Sequence, residues 1–137
     1  MAKATEVALT EPDRIVVLMG RSGFDASSRD PAMKALIDAD PIHADVPGVP
    51  AQLLATTSAL GPTLRACYHQ LGVPLLAMHG TSDLMADPAA TIELVEHAGS
   101  ADKTLHLVPD GYHALLRDLD RDATLDTIVA WIDAHCP

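Results

Sequence analysis

The chain has 137 residues, 48% of them apolar and 20% charged, with a formal net charge of −10. That length predicts one domain with a sizeable buried core, and that composition excludes a disordered chain. Lysines and arginines scattered through so acidic a chain exclude DNA or RNA binding through phosphates.

Residues 1–12 are polar and mixed and are expected to be poorly ordered. Residues 15–19 (IVVLM) form an apolar run that reads equally as a strand or as a turn of buried helix. Gly20-Arg21-Ser22-Gly23 reads as a turn. Asp30-Pro31 predicts a helix start, because Asp30 can cap free N–H groups and Pro31 suits the first helical position. That helix should end near Ala39, before Pro41. Residues 41–50 read as a loop. A second helix is expected over 51–71, with Leu53, Leu60, Leu64, Cys67 and Leu71 at helical spacing and a break or kink at Gly61-Pro62.

The second half has a plainer pattern. Residues 73–79 (VPLLAMH) are a continuous apolar run, as in a parallel strand covered on both faces. Pro88–His97 reads as a helix, Lys103–Val108 as an alternating strand with Leu105 and Leu107 on one face, and 119–135 as a final helix. Leu125, Ile128, Val129 and Ile132 are its expected buried stripe. Strand, helix, strand, helix predicts an α/β protein with parallel strands. Three regions are expected: an N-terminal segment over 1–27, a helical region over 28–71, and a βαβα unit over 72–137.

No stretch approaches the roughly 20 apolar residues that span a bilayer, so no transmembrane segment is expected. Residues 1–11 lack the apolar run of a secretory signal. Cys67 and Cys136 form neither a Cys-x-x-Cys pair nor a zinc-ligand spacing, and read as two reduced thiols in a cytoplasmic protein.

In a parallel α/β sheet, functional groups gather just past the carboxyl ends of the strands. Two segments take that position: His79-Gly80-Thr81-Ser82-Asp83 after the first strand, and Pro109-Asp110-Gly111-Tyr112-His113 after the second. Asp83 and His113 are thus expected on adjacent loops at one edge of the sheet. There the carboxylate can accept a hydrogen bond from the imidazole Nδ1–H and stabilise the imidazolium that forms when Nε2 takes a proton. Asp87-Pro88 reads as a helix cap. His79 reads as a turn residue beside the site, and His79, Asp83 and Asp87 do not share the single helix face that a metal cluster there would need.

HGTSDLMADP, a helix, and then SADKTLHLVPDGYHALL resemble the end of a monoacylglycerol lipase or lysophospholipase-type serine hydrolase of the α/β-hydrolase superfamily. Ser28-Arg29-Asp30-Pro31 and Asp40-Pro41 resemble that family's cap, so the likeness covers about residues 28–135. The resemblance implies the C-terminal portion of an α/β-hydrolase fold, with a cap-like region over 28–71. It makes Asp83 the acid and His113 the base of a triad that hydrolyses an acyl ester or lipid. It implies no metal and no organic cofactor. Met33, Leu36, Leu53 and Leu54 either line an acyl pocket under the cap or simply pack helices.

The family places a nucleophilic serine in Gly-x-Ser-x-Gly on a sharp strand-to-helix turn, before the acid and the base. No such motif occurs in the sequence. Ser22 in Gly20-Arg21-Ser22-Gly23-Phe24 is the nearest approach, and three features oppose it. Phe24 replaces the second glycine, no helix signal follows at once, and no strand candidate lies between residues 24 and 73. Ser22 therefore reads as a turn serine and the chain as lacking a nucleophile. The expected explanations are a truncated frame or, as the alternative, a half-protein completed by an N-terminal partner. The alternative function is that of a non-catalytic, truncated hydrolase module that binds another chain or a lipid.

Overall fold

The computed structural model describes residues 2–17, 25–41 and 48–135. Helix α1 spans Ala2–Thr10 and strand β1 Ile15–Val17. Helix α2 covers Pro31–Ala39, strand β2 Val49–Pro50 and helix α3 Ala51–Cys67, which runs into a 3-10 turn at Tyr68–Gln70. Strand β3 is Leu75–Gly80, helix α4 Pro88–His97 and strand β4 Lys103–Val108. A 3-10 turn at Leu115–Arg117 leads to the last helix, α5, at Arg121–His135.

Local chemistry accounts for the helix starts. Asp30 accepts a hydrogen bond from the Ala32 amide at 2.9 Å, with Pro31 in the first position. Asp87 and Pro88 repeat the arrangement on α4, with the Ala89 amide at 2.9 Å. Each side chain satisfies one of the donors that a helix start leaves open. At the other end of α4, the Lys103 ammonium donates to the Ala98 carbonyl at 2.8 Å, where a cation also suits the helix dipole.

β3 and β4 pair in parallel, in unbroken register from Leu75 opposite Lys103 to Gly80 opposite Val108. α4 connects them and packs on both. The pairing ends both strands at one edge and delivers the two following loops side by side. The Thr81 amide extends the ladder to the Val108 carbonyl at 2.9 Å, and the Ser82 amide reaches the Gly111 carbonyl at 3.0 Å. The backbones approach so closely that a Cβ on Gly80 would overlap the Gly111 carbonyl.

Several expectations need correction. Residues 2–10 form a helix, because AKATEVALT is rich in helix formers and α1 packs along α3. β2, inside the expected loop, pairs antiparallel with β1, which settles residues 15–17 as strand. Gly61-Pro62 does not interrupt α3; proline removes one backbone bond, and packing with α1 supports the rest. β3 begins at Leu75 rather than residue 73.

Among the described residues, neither the expected sizeable core nor the expected buried stripe of α5 is found. Among the described residues, the buried apolar side chains are Ala51, Ala77, Ala98 and Val108, all small to medium in size. Leu125, Val129 and Ile132 on α5 are exposed. The reason is geometric: among the described residues the parallel sheet has only two strands, and α5 stands beside β3 across an open apolar cleft instead of packing against it. The accessible surface is 8859 Å², against about 6,900 Å² for a compact monomer of 14.5 kDa.

Gly80→Ala is expected to destabilise the chain by about 2–3 kcal/mol, since the added methyl meets backbone and not a yielding side chain. Gly72→Ala, where a Cβ meets nothing within 4 Å, should stay within about 0.5 kcal/mol of the parent. Paired urea melts of the two variants check this.

Candidate active site

Asp83 sits in the turn after β3 with only 2% of its side chain exposed. Its Oδ1 accepts from the backbone amides of Met85 at 2.7 Å and Ala86 at 3.0 Å. Its Oδ2 lies 2.9 Å from His113 Nδ1. Burial alone would push this carboxyl up, but the Ala86 amide, His113 and the Met85 amide together hold it below its ordinary value. An ionised carboxylate is an acceptor only, so Nδ1 of His113 carries the proton and the lone pair of the neutral ring is on Nε2.

His113 is placed by its own turn. Asp110 adopts a left-handed conformation, φ 56°, which a short polar side chain tolerates. Its amide donates to Thr81 Oγ1 at 2.8 Å, a second tie between the two loops. The His113 side chain is 46% exposed, so a reactant can reach it while the acid behind it is shielded.

His113 also borders a cavity of about 190 Å³ whose lining includes Met33 and Ile37 of α2, Met85 and Ala114. Of the four residues expected in an acyl pocket, Met33 lines this cavity, while Leu36, Leu53 and Leu54 do not. Leu36 is largely exposed, and Leu53 borders a separate cleft with Pro12 and Asp13. Met85 and Ile37 escape sequence reasoning because nothing local shows that the α2 helix lies beside the His113 loop. Ser22 and Cys136 lie outside the described residues.

A second carboxylate, unremarked in the sequence, holds the site together. Asp118 is 1% exposed and accepts from the Arg29 amide at 2.7 Å, the Arg29 Nε at 2.9 Å and the Tyr112 amide at 2.9 Å. It thus pins the residue next to His113 to the segment that leads into α2. The Ala114 amide bonds the Ser27 carbonyl at 2.8 Å, and the Ser28 hydroxyl donates to the Arg117 carbonyl at 2.6 Å. Burial pushes the Asp118 carboxyl up, yet the Tyr112 and Arg29 amides and the Arg29 guanidinium hold it below the usual carboxylate value. Arg29 and Asp118 are 89 positions apart, so no local pattern announces the pair.

Among the described residues, no group of three His, Cys, Asp or Glu side chains is arranged to hold a metal ion. None of the described helices is long and apolar enough to cross a membrane.

The architecture matches solved structures of α/β-hydrolases. A soluble variant of monoglyceride lipase from Saccharomyces cerevisiae, solved with a substrate analogue, aligns over 98% of this chain and 48% of its own, with a TM-score of 0.75 at 22% identity. A monoacylglycerol lipase from Paleococcus ferrophilus aligns over 98% of this chain and 51% of its own, with a TM-score of 0.76 at 20% identity. The fold is therefore that of part of an α/β-hydrolase. In sequence, the model of the family described as serine aminopeptidase, S33, matches residues 4–120, and the chain belongs to that family. A monoacylglycerol lipase of Mycolicibacterium smegmatis is 33% identical over 113 residues, 81% of this chain but 39% of the relative.

Removing the buried anchor should be costly. Asp118→Ala is expected to lose about 3 kcal/mol, because the Arg29 amide, Arg29 Nε and the Tyr112 amide lose their acceptor, while Arg29 Nη2 keeps Asp120 at 2.6 Å. The native carboxyls of Asp83 and Asp118 are lower than in the unfolded chain, so the unfolded state binds more protons between the two values. Their contribution is complete above the unfolded value of about 3.9 and is lost as pH falls through the native values. Denaturant midpoints across acid pH should show this limb, and Asp118→Asn should flatten it.

Proposed function

We propose that this chain carries the acid and the base of a serine hydrolase of carboxylic esters, with monoacylglycerols or lysophospholipids as the substrate class. One observation carries the reading: a shielded, ionised Asp83 bonded at 2.9 Å to Nδ1 of an accessible His113 that borders an apolar cavity. The relatives named as monoacylglycerol lipases support the ester class. The family's description as aminopeptidases keeps peptide hydrolysis as the competing reaction. Fold alone does not choose between them.

In this reading a serine hydroxyl gives its proton to His113 Nε2 as its oxygen attacks the ester carbonyl. Asp83 stabilises the imidazolium. The tetrahedral intermediate collapses, the alcohol leaves with the proton from Nε2, and an acyl-serine remains. Water, deprotonated by the same nitrogen, then releases the carboxylic acid and restores the serine. Met33, Ile37 and Met85 offer an apolar wall for the acyl chain. The scheme uses no metal and no organic cofactor.

Because the sequence holds no Gly-x-Ser-x-Gly, the nucleophile and the oxyanion donors are assigned to a segment outside it. The chain by itself is then inactive, and it completes an enzyme by pairing with an N-terminal half. The open face favours this. An apolar cleft of about 500 Å³ lies between β3 and α5, lined by Leu76, Met78, Ile128 and Trp131. Among the described residues, the buried Trp131 indole N–H has no acceptor. The surface in excess of a compact monomer is about 2,000 Å², more than the roughly 800 Å² that one partner contributes to a standard interface. The two cysteines, without a pairing pattern, favour the cytoplasm as the compartment.

The full chain alone should hydrolyse neither a chromogenic acyl ester nor an aminoacyl anilide above buffer. Ester turnover that survives Ser22→Ala but is abolished by His113→Ala would place the nucleophile within this sequence and overturn its assignment elsewhere. Mixed with a matching N-terminal half, the chain should gain ester hydrolysis that drops about 10⁴-fold with His113→Ala. A folded, stoichiometric complex that cleaves no ester would remove the ester reading. Failure to pair, with the chain sedimenting instead on lipid vesicles, would favour a lipid-binding role.

A further inference from the structure

His79, the residue before Gly80 at the end of β3, is spent on none of the chemistry above, although its side chain is only 13% exposed. Its Nε2 lies 3.0 Å from Asp83 Oδ2 and 3.2 Å from the Ala86 carbonyl oxygen. Both neighbours are acceptors, so Nε2 must carry a proton. Its Nδ1 lies 2.6 Å from the Thr91 hydroxyl on α4. A hydroxyl can turn to donate, and with a neutral ring it donates to Nδ1. Thr91 therefore selects the tautomer that His79 needs in order to donate to the Ala86 carbonyl.

The Nε2–H of His79 is then bonded to the Ala86 carbonyl and passes close to Asp83 Oδ2, while Oδ2 receives the His113 Nδ1–H and Oδ1 receives the amides of Met85 and Ala86. Through Thr91, His79 ties the turn that carries those two amides to α4.

We propose that His79, held as its Nε2–H tautomer by the Thr91 hydroxyl, is the positioning residue of the site: it donates to the Ala86 carbonyl and holds the turn whose Met85 and Ala86 amides orient the Asp83 carboxylate toward His113. The proposal rests on reading Asp83 and His113 as acid and base. Its test reads the hydrogen bonds directly, so it does not depend on turnover.

The experiment is imidazole ¹⁵N NMR of the full chain near neutral pH, with circular dichroism to check each variant's fold. In the parent, His79 should be protonated at Nε2 and bare at Nδ1, and His113 Nδ1–H should exchange slowly. Thr91→Val should shift His79 toward a mixture of tautomers. His79→Leu should speed exchange of His113 Nδ1–H by up to about tenfold, the worth of one hydrogen bond. His79→Gln, which keeps a donor at similar reach, should restore slow exchange; a purely space-filling role would not separate Leu from Gln. A parent spectrum with His79 protonated at Nδ1 alone overturns the proposal, and it needs no variant to fold. So does a His79→Leu variant of native fold with unchanged His113 exchange. Failure of ester hydrolysis in the complemented protein would remove the hydrolase reading and leave these resonances as they are.

Discussion

The backbone contact between Gly80 and the Asp110-Gly111 turn is the constraint on which the rest depends. Two parallel strands end in register, and their loops are joined by the Ser82 amide on the Gly111 carbonyl, the Thr81 amide on the Val108 carbonyl and the Asp110 amide on the Thr81 hydroxyl. A parallel pair already places both loops at one edge. Close approach turns that neighbourhood into hydrogen-bond distance, and only a residue without a Cβ permits it. The separation of Asp83 from His113 follows from the backbone, before either side chain is considered.

A second layer of order comes from carboxylates used as backbone receptors. Asp83 collects the amides of its own turn, while Asp118 collects the amide of nearby Tyr112 and that of Arg29, 89 positions away. Each is shielded from water, and each is held ionised because several donors outweigh the cost of burial. Asp118 thereby couples the approach to α2 to the loop of His113. Through that coupling Met33 and Ile37 come to border the same cavity as the imidazole.

The same structure that orders the site leaves its outer faces bare. β4 and α4 protect one side of β3, while Leu125, Val129 and Ile132 of α5 remain in solvent. A strand pair with an open apolar edge is a template for further pairing. The chain spans 39% of its mycobacterial relative and about half of the solved lipases that it resembles in fold. A well-ordered loop edge beside an uncovered sheet is what a portion of a larger sheet would present.

The sequence alone determined the features whose causes are local. Asp30-Pro31 and Asp87-Pro88 mark their helix starts because a short carboxylate and a proline act within one turn. Lys103–Val108 and Pro88–His97 were legible from residue pattern and punctuation, and the HGTSD and DGYH segments pointed to Asp83 and His113 as the residues to examine. Tertiary structure alone decided what depends on residues far apart in the chain. It made residues 2–10 a helix through packing on α3, and it paired Val49 with Val17. It joined Arg29 to Asp118 across 89 positions, set His79 between Thr91 and Asp83, and replaced Leu36, Leu53 and Leu54 by Ile37 and Met85 at the cavity. It also left the α5 stripe uncovered, because helical spacing states which residues share a face and not whether anything lies against it.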